Sequence, residues 1–200
     1  MTRIAAAALA LALCFAAPAL ANPSTQDPAK IPAGTYVLDK RHASLTARTL
    51  HMGFSHYTLR FDGLEGGFTY DPANWQETKV TITVDPKSVD TNDPAFNKQI
   101  AGYFDADKYP AITFVSTSVQ AQDGKGTVTG DLTFHGVTKP VTLDVTFQGV
   151  GHGITALSTR MGFSGTTQIK RSDFGVNNMF LNQFTADEVD LAFEVEFEKK

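Results

Sequence analysis

The stretch from Glu188 to Glu198 constrains the fold more than any other part of this 200-residue chain. Val189, Leu191, Phe193, Val195 and Phe197 alternate with Glu188, Asp190, Glu194, Glu196 and Glu198. Successive side chains of a strand point to opposite faces, so the pattern specifies a strand with one dry and one wet face. The same rule holds where Val80, Ile82 and Val84 alternate with Lys79, Thr81 and Thr83, and where Val141, Leu143, Val145 and Phe147 alternate with Thr142, Asp144, Thr146 and Gln148. Further candidate strands lie at 35–39, 43–52, 57–70, 110–122, 125–134 and 156–168, separated by turn signals such as Asp71-Pro72 and Gln122-Asp123-Gly124-Lys125-Gly126. One short helix is expected near 93–104, where Asp93 caps, Pro94 opens the first turn and Phe96, Ile100 and Tyr103 or Phe104 form a stripe.

One short helix cannot cover so many one-faced strands. Their dry faces must meet each other, in a closed barrel or a two-sheet sandwich. Long strands joined by short links favour the barrel. Glycines inside strands, at Gly66, Gly67, Gly130, Gly162 and Gly165, are expected to permit coiling and to leave interior space. The fold expected is therefore all-β, an antiparallel barrel of about eight strands enclosing an apolar pocket, and a barrel of that size can hold one small ligand.

The N-terminus carries an export signal. Met1-Thr2-Arg3 is a short basic start, Ile4 to Ala17 is apolar, and Ala19-Leu20-Ala21 is the small-x-small pattern after which a signal peptidase cuts. Residues 1–21 are thus expected to be a signal peptide, 22–33 a flexible leader and 34–200 the folded domain, in the periplasm. The apolar run is too short to span a bilayer, and Leu13 before Cys14 argues against lipoprotein acylation. Cys14 is the one cysteine, so the remaining chain of about 180 residues must be stabilised by its core rather than by disulfides. A net charge of −4 argues against nucleic acid and against strong electrostatic docking to anionic membrane.

Catalytic and metal signals are thin. His42, His51, His56, His135 and His152 show no ligand pair at strand or helix spacing, and no metal is expected. Gly162-Phe163-Ser164-Gly165 lacks the full nucleophile-elbow spacing and sits in an alternating strand. Asp105 and Asp107 are expected to cap and solvate a turn. The apolar supply is more informative, because the chain contains 15 Phe. Several, Phe54, Phe104, Phe174, Phe180 and Phe184, lie where a strand face does not require them. The segment "FGVNNMFLNQF" (174–184) reads as a greasy loop between strands, suited to a barrel mouth. Beside it, Lys170 and Arg171 are cations that would meet a phosphate at a cavity entrance, with a structural ion pair from Arg171 to Asp173 or another carboxylate as the equal alternative.

Taken in order along the chain, these pieces resemble the YceI-like family of exported, polyisoprenoid-binding proteins. The matching residues are Tyr36-Val37-Leu38-Asp39 with His42-Ala43-Ser44, Gly66-Gly67-Phe68, Ser88-Val89-Asp90-Thr91, and Tyr103-Phe104-Asp105 running into Lys108-Tyr109-Pro110-Ala111-Ile112-Thr113-Phe114. They continue with Gly130 to Val141 and with Arg171-Ser172-Asp173-Phe174-Gly175. The chain departs from the family at Asn92-Asp93-Pro94-Ala95-Phe96, where an Arg-Asp-x-His-Leu pattern is usual, so that a cation and an imidazole are missing. The resemblance implies a lipocalin-like barrel whose long pocket holds a polyprenyl chain or an isoprenoid quinone, with no other cofactor.

Under that reading Leu59, Phe61, Phe68, Phe104, Ile112, Phe114, Leu132, Phe134, Phe163, Phe174, Met179, Phe180 and Phe193 line the pocket, and Arg171, Lys170 and His51 are head-group candidates. The reading is of a binding protein, and it leaves room for transient membrane contact and for a homodimer. The rival is a hydrolase or isomerase acting on such a lipid through His51 or His56 with an acid such as Asp62. A barrel with a filled core, acting by protein contact, is the third option.

The polar cluster in "TFHGVTKPVTL" (133–143) is expected to be a hairpin corner. Val128, Leu132 and Phe134 before it and Val141, Leu143 and Val145 after it face one way. Gly136 supplies the turn, and His135, Thr138 and Lys139 are expected at the rim in water.

Overall fold

In the computed structural model, which describes residues 24–153 and 158–200, the alternating segments wind into a closed antiparallel barrel. The long strands are β1 (Gly34–His51), β2 (Ser55–Phe61), β3 (Leu64–Tyr70), β4 (Thr81–Val84), β5 (Ile112–Gln122), β6 (Lys125–Phe134), β7 (Val137–His152), β8 (Thr159–Lys170) and β9 (Glu188–Lys199). β2 pairs with the second half of β1, from Leu45↔Phe61 to His51↔Ser55, and β3 with the first, from Gly34↔Tyr70 to Val37↔Gly67. These nine strands therefore fill eight positions. β9 pairs with β8 on one side and β1 on the other, which closes the ring and leaves no long edge exposed to foreign strands.

The segments 35–39 and 43–52, expected as two strands, are one strand with a bulge. Leu38 pairs with Phe197 and Ala43 with Val195, so residues 39–42 stand opposite Glu196 alone. The insertion reverses which parity faces inward. Tyr36 and Leu38 are buried before the bulge, Ala43 after it, and Leu45 and Ala47 continue along the cavity wall.

The strand directions sort the connections into two ends. At one, called the helical end, lie the β1–β2 hairpin, helix α1 (Pro94–Tyr103), the β6–β7 turn and the segment 171–187 with the short helix α2 (Met179–Phe184). α1 begins as expected, with the Asp93 carboxylate accepting from the amides of Ala95 at 2.9 Å and Phe96 at 3.3 Å. The segment 174–184, expected as a loop, carries α2, capped by Asn178 through the amide of Leu181 at 2.9 Å.

The opposite, aromatic end is packed with rings. Tyr36 stacks on Phe68 at 5.4 Å, and Phe68 meets Phe197 edge-on at 4.9 Å. Phe163 packs between Phe147 at 5.5 Å and Phe197 at 6.2 Å. The leader reaches this end and is not free, contrary to expectation. Ser24 and Thr25 pair with Gly151 and Val150, Ile31 is buried, and the Tyr36 hydroxyl donates to the Pro32 carbonyl at 2.8 Å. An apolar Ile and a strand-edge partner outweigh the turn-forming prolines around them. The expected signal peptide, 1–21, lies outside the described residues.

Four of the five strand glycines do not leave room, as was expected of them, whereas a Cβ on Gly162 would make only ordinary contact, 3.6 Å from the Gln148 side chain. A Cβ on Gly130 would meet the Phe114 ring at 2.6 Å, and one on Gly165 would meet the Asp144 carbonyl at 2.6 Å and the Phe193 ring. These positions are glycine because a neighbouring phenylalanine lies over the backbone.

Candidate functional site

Two clusters of buried side chains lie along the barrel. One is centred on Tyr36, Phe68, Phe147, Met161 and Phe197, the other on Phe114, Leu132, Phe134, Phe174 and Leu181. They do not fill the interior. A cavity of about 1080 Å³ remains, at the top of the usual range of roughly 300–1,000 Å³ for ligand pockets. Its wall includes every second residue of β9 from Val189 to Phe197, a run of roughly 27 Å at strand spacing. The middle of the wall is apolar throughout. Charged residues border it only towards the two ends, Arg48 and Arg171 at the helical end and Asp123 and Lys125 at the aromatic end, and the Arg48 side chain turns outward to Asp190.

Of the side chains expected to line the pocket, Leu59, Phe61, Phe68, Phe104, Ile112, Phe114, Leu132, Phe134, Phe163, Phe180 and Phe193 are on this wall. Phe174 and Met179 are not. Phe174 is buried behind Phe134, ring to ring at 5.8 Å. Met179 is 84% exposed. In α2 the residues Phe180, Leu181 and Phe184 share one face, so Met179 falls on the other. Tyr57, Tyr103, Leu143 and Leu191, outside the expected lining set, also line the wall. The alternation around Tyr57, Leu143 and Leu191 contained that information; Tyr103 is fixed only by how α1 closes the helical end.

The head-group candidates separate. Lys170 follows inward Ile169 and therefore points out to solvent. His51 is on the wall, bridged to Thr185. Arg171 is also on the wall and only 7% exposed, and its hydrogen bonds among the described residues go to uncharged acceptors. Its Nε donates to the Ala186 carbonyl at 3.2 Å, and its Nη1 to the Val176 carbonyl at 2.8 Å and the Asn182 side chain at 2.9 Å. Nη2 reaches the Thr185 carbonyl at 3.4 Å. One guanidinium thus gathers both ends of the 176–186 segment. The anticipated partner Asp173 is not among its acceptors, and Ser172 bonds instead to Asp187, at 2.6 Å from its hydroxyl. These bonds to Ser172 are the main reason the Asp187 carboxyl is held below its ordinary value.

The residues of the enzymatic alternative are not assembled. His56 is exposed on the outer face of β2, and Asp62 accepts from Arg60 Nε at 2.7 Å. His56 and Asp62 are six residue steps apart along β2 and its end, roughly 20 Å.

The β6–β7 corner is a two-residue turn in which His135 and Gly136 both adopt positive φ, 51° and 76°. That is the mirror-image turn that matches strand twist. Its histidine is not in water, as expected, but 17% exposed in its side chain. The ring's Nδ1 donates to the Phe174 carbonyl at 3.1 Å, and its Nε2 bonds the Asp105 carboxylate at 2.9 Å. The Tyr109 ring packs 4.9 Å from it. The corner therefore ties the segment after α1 to the turn at 171–174, both of which cover the helical end.

Outside the barrel, the bulge in β1 brings Asp39, His42 and Glu196 together. Their midst is taken by Arg160, which donates to Asp39 and, at 3.3 Å, to Glu196. His42 Nδ1 is 2.8 Å from Asp39. The bond from Arg160, and next that from His42, hold the Asp39 carboxyl well below the usual carboxylate range.

Residues 36–197 match the YceI-like domain. A UPF0312 protein of Vibrio vulnificus is 38% identical over 198 residues, covering 96% of this chain and 97% of its own. The crystal structure of BcnA from Burkholderia cenocepacia superposes with a TM-score of 0.71 at 30% identity, over 80% of this chain and 98% of that one. A domain of Saccharophagus degradans described as polyisoprenoid-binding shares the fold, with a TM-score of 0.64 at 18% identity over 84% of this chain and 100% of that domain.

Proposed function

This chain belongs to the YceI-like family, and we propose that it is a periplasmic carrier holding one long-chain isoprenoid lipid, a polyprenyl phosphate or an isoprenoid quinone, inside the barrel. The observation that carries the reading is the cavity: about 1080 Å³, elongated, and walled in its middle by hydrocarbon and aromatic side chains alone. Such a space suits a long apolar chain and offers nothing to a polar solute. The polyisoprenoid-binding description of the Saccharophagus degradans domain supports the ligand class. Ala19-Leu20-Ala21 supports export. A polar head group is best accommodated at the helical end, where His51, Thr49, Thr167 and Thr185 join the apolar wall.

The energetics suit loading and unloading. Burying a 40-carbon chain from water at about 0.8 kcal/mol per methylene would give roughly 30 kcal/mol, above the practical affinity ceiling of about 20 kcal/mol. In a cell the tail starts in a bilayer, which is as dry as the cavity. Transfer is then close to balance, and head-group contacts and chain ordering set its sign.

Native mass spectrometry of protein purified without detergent from quinone-producing cells is expected to show one isoprenoid per chain. Leu143→Trp, which adds bulk to the cavity wall, should leave the barrel folded and reduce lipid uptake at least tenfold. Protein that neither carries a lipid nor takes up added isoprenoid quinone would overturn the reading. Turnover of a bound prenyl phosphate or quinone, abolished by His51→Ala, would replace the carrier with an enzyme.

A further inference from the structure

The described surface has few large apolar side chains exposed, and they are not scattered. Leu50, Met52, Phe54, Met179 and Phe180 all lie at the helical end; Val37 is the sole other. Phe54 is 82% exposed at the tip of the β1–β2 hairpin. The hairpin and the α2 segment are physically joined: the Met52 amide donates to the Phe184 carbonyl at 2.9 Å, and the Ala186 amide to the Leu50 carbonyl at 2.9 Å. The joined rim is also uncharged. Residues 49–56 and 174–186 contain no Asp, Glu, Lys or Arg, although 19% of the chain is charged. The exposed residues continue inward without a polar break, because Phe180 packs on Phe184 at 4.6 Å and both line the cavity.

We propose that this rim, formed by the β1–β2 hairpin and α2, inserts into the surface of a lipid bilayer and places the helical end of the cavity against the membrane. An apolar, uncharged rim rich in Phe, Met and amides suits the interface between head groups and acyl chains, where the cost of burying charge is avoided. Its continuity with a lipid-sized cavity makes a bilayer, rather than a second protein, the fitting occupant. With a net charge of −4 and no cation on the rim, the attraction is hydrophobic, so it does not depend on anionic lipid and is insensitive to salt. In a carrier as proposed above, which this inference presumes for its purpose, docking would let the tail pass from bilayer to cavity without crossing water.

The chain supplies its own control, since its single tryptophan, Trp75, follows β3 at the aromatic end. With vesicles of phosphatidylethanolamine and phosphatidylcholine containing brominated acyl chains, the added fluorophore of Phe54→Trp should shift to the blue and be quenched. Trp75 of the unaltered protein, which borders the cavity at the far end, should be quenched much less. Sedimentation with the same vesicles should fall at least tenfold in Met52→Asn/Phe54→Ser, and should be unchanged between 0.05 and about 0.5 M salt, where the screening length drops severalfold. Uptake of a short-tailed quinone from solution by the double variant should match the unaltered protein, which separates docking from cavity binding. An added indole in the Phe54→Trp variant that is quenched no more than Trp75, loss of vesicle binding in salt, or a rim-dependent dimer in place of vesicle binding would each overturn the proposal. Vesicle binding without uptake of quinone would leave docking standing and remove the carrier.

Discussion

At the aromatic end Tyr36, Phe68, Phe163 and Phe197 point inward and are held by one another, whereas at the helical end Phe54, Met179 and Phe180 reach solvent. Both ends are rich in large apolar residues. The difference is what covers them. The aromatic end is built from long paired strands, whose alternation leaves each ring a neighbour across the barrel. The helical end is closed by a hairpin, two helices and a turn, held to the strands by the smaller cluster around Phe134, Phe174 and Leu181 and by polar clasps at Arg171 and His135. An end closed by stacked rings and an end covered by short segments with apolar residues left exposed suit a vessel that opens on one side.

Substitutions should separate the two ends by the size and the kind of their effects. Phe68→Ala removes a ring that packs against Tyr36, Phe163 and Phe197, and is expected to cost about 3–5 kcal/mol in urea unfolding without altering vesicle binding. Arg171→Ala leaves the carbonyls of Val176 and Thr185 without the guanidinium, and that of Ala186 with only the Thr49 hydroxyl, and should cost about 3 kcal/mol. Its effect should be local: amide exchange across 176–186 should accelerate more than in β7 or β8. Lysine should not restore it, because an ammonium cannot span the same acceptors. A comparable global loss with no local change would mean that the 176–186 segment is part of the core.

A smaller effect belongs to the outer bulge. Asp39 is depressed in the folded state, so its stabilisation is complete above its unfolded value of about 3.9 and drains as the pH falls from there towards the folded one. Asp39→Asn should therefore cost about 1 kcal/mol at neutral pH and progressively less below about pH 4, flattening the acid limb of the stability profile. The smallest effect on stability is expected from Phe54→Ser, within about 0.5 kcal/mol, because the side chain touches little of the folded chain. A large loss of stability in that variant would show that the hairpin tip is packed rather than presented.

The barrel was legible because a period of two survives translation into a closed sheet. The run Val189 to Phe197 lies on the cavity wall, and the corner at 135–136 joins β6 to β7 with Phe134 paired to Val137. The bulge at 39–42 was not legible. It reverses parity inside one strand, and a reversal in sequence looks the same as a break between two strands. Met179 and Lys170 were misplaced for a related reason. Each stands one residue from an inward side chain, and in a strand or a single helical turn one residue decides between cavity and solvent. Arg171 stands out in the sequence as a cation, but three of its four partners are backbone carbonyls up to fifteen residues further on, which have no signature in residue type.

Alternation, turn residues and the near absence of cysteine by themselves determined a one-faced antiparallel barrel stabilised by its core, because each strand's side chains are assigned to a face by local backbone geometry. Only the tertiary structure decided that the core is incomplete, that the leader is fastened to β7, and that the uncharged apolar residues of two distant segments form one rim. Those outcomes depend on which strands meet across the ring and on how much volume their side chains leave between them, and neither is a property of any single stretch of chain.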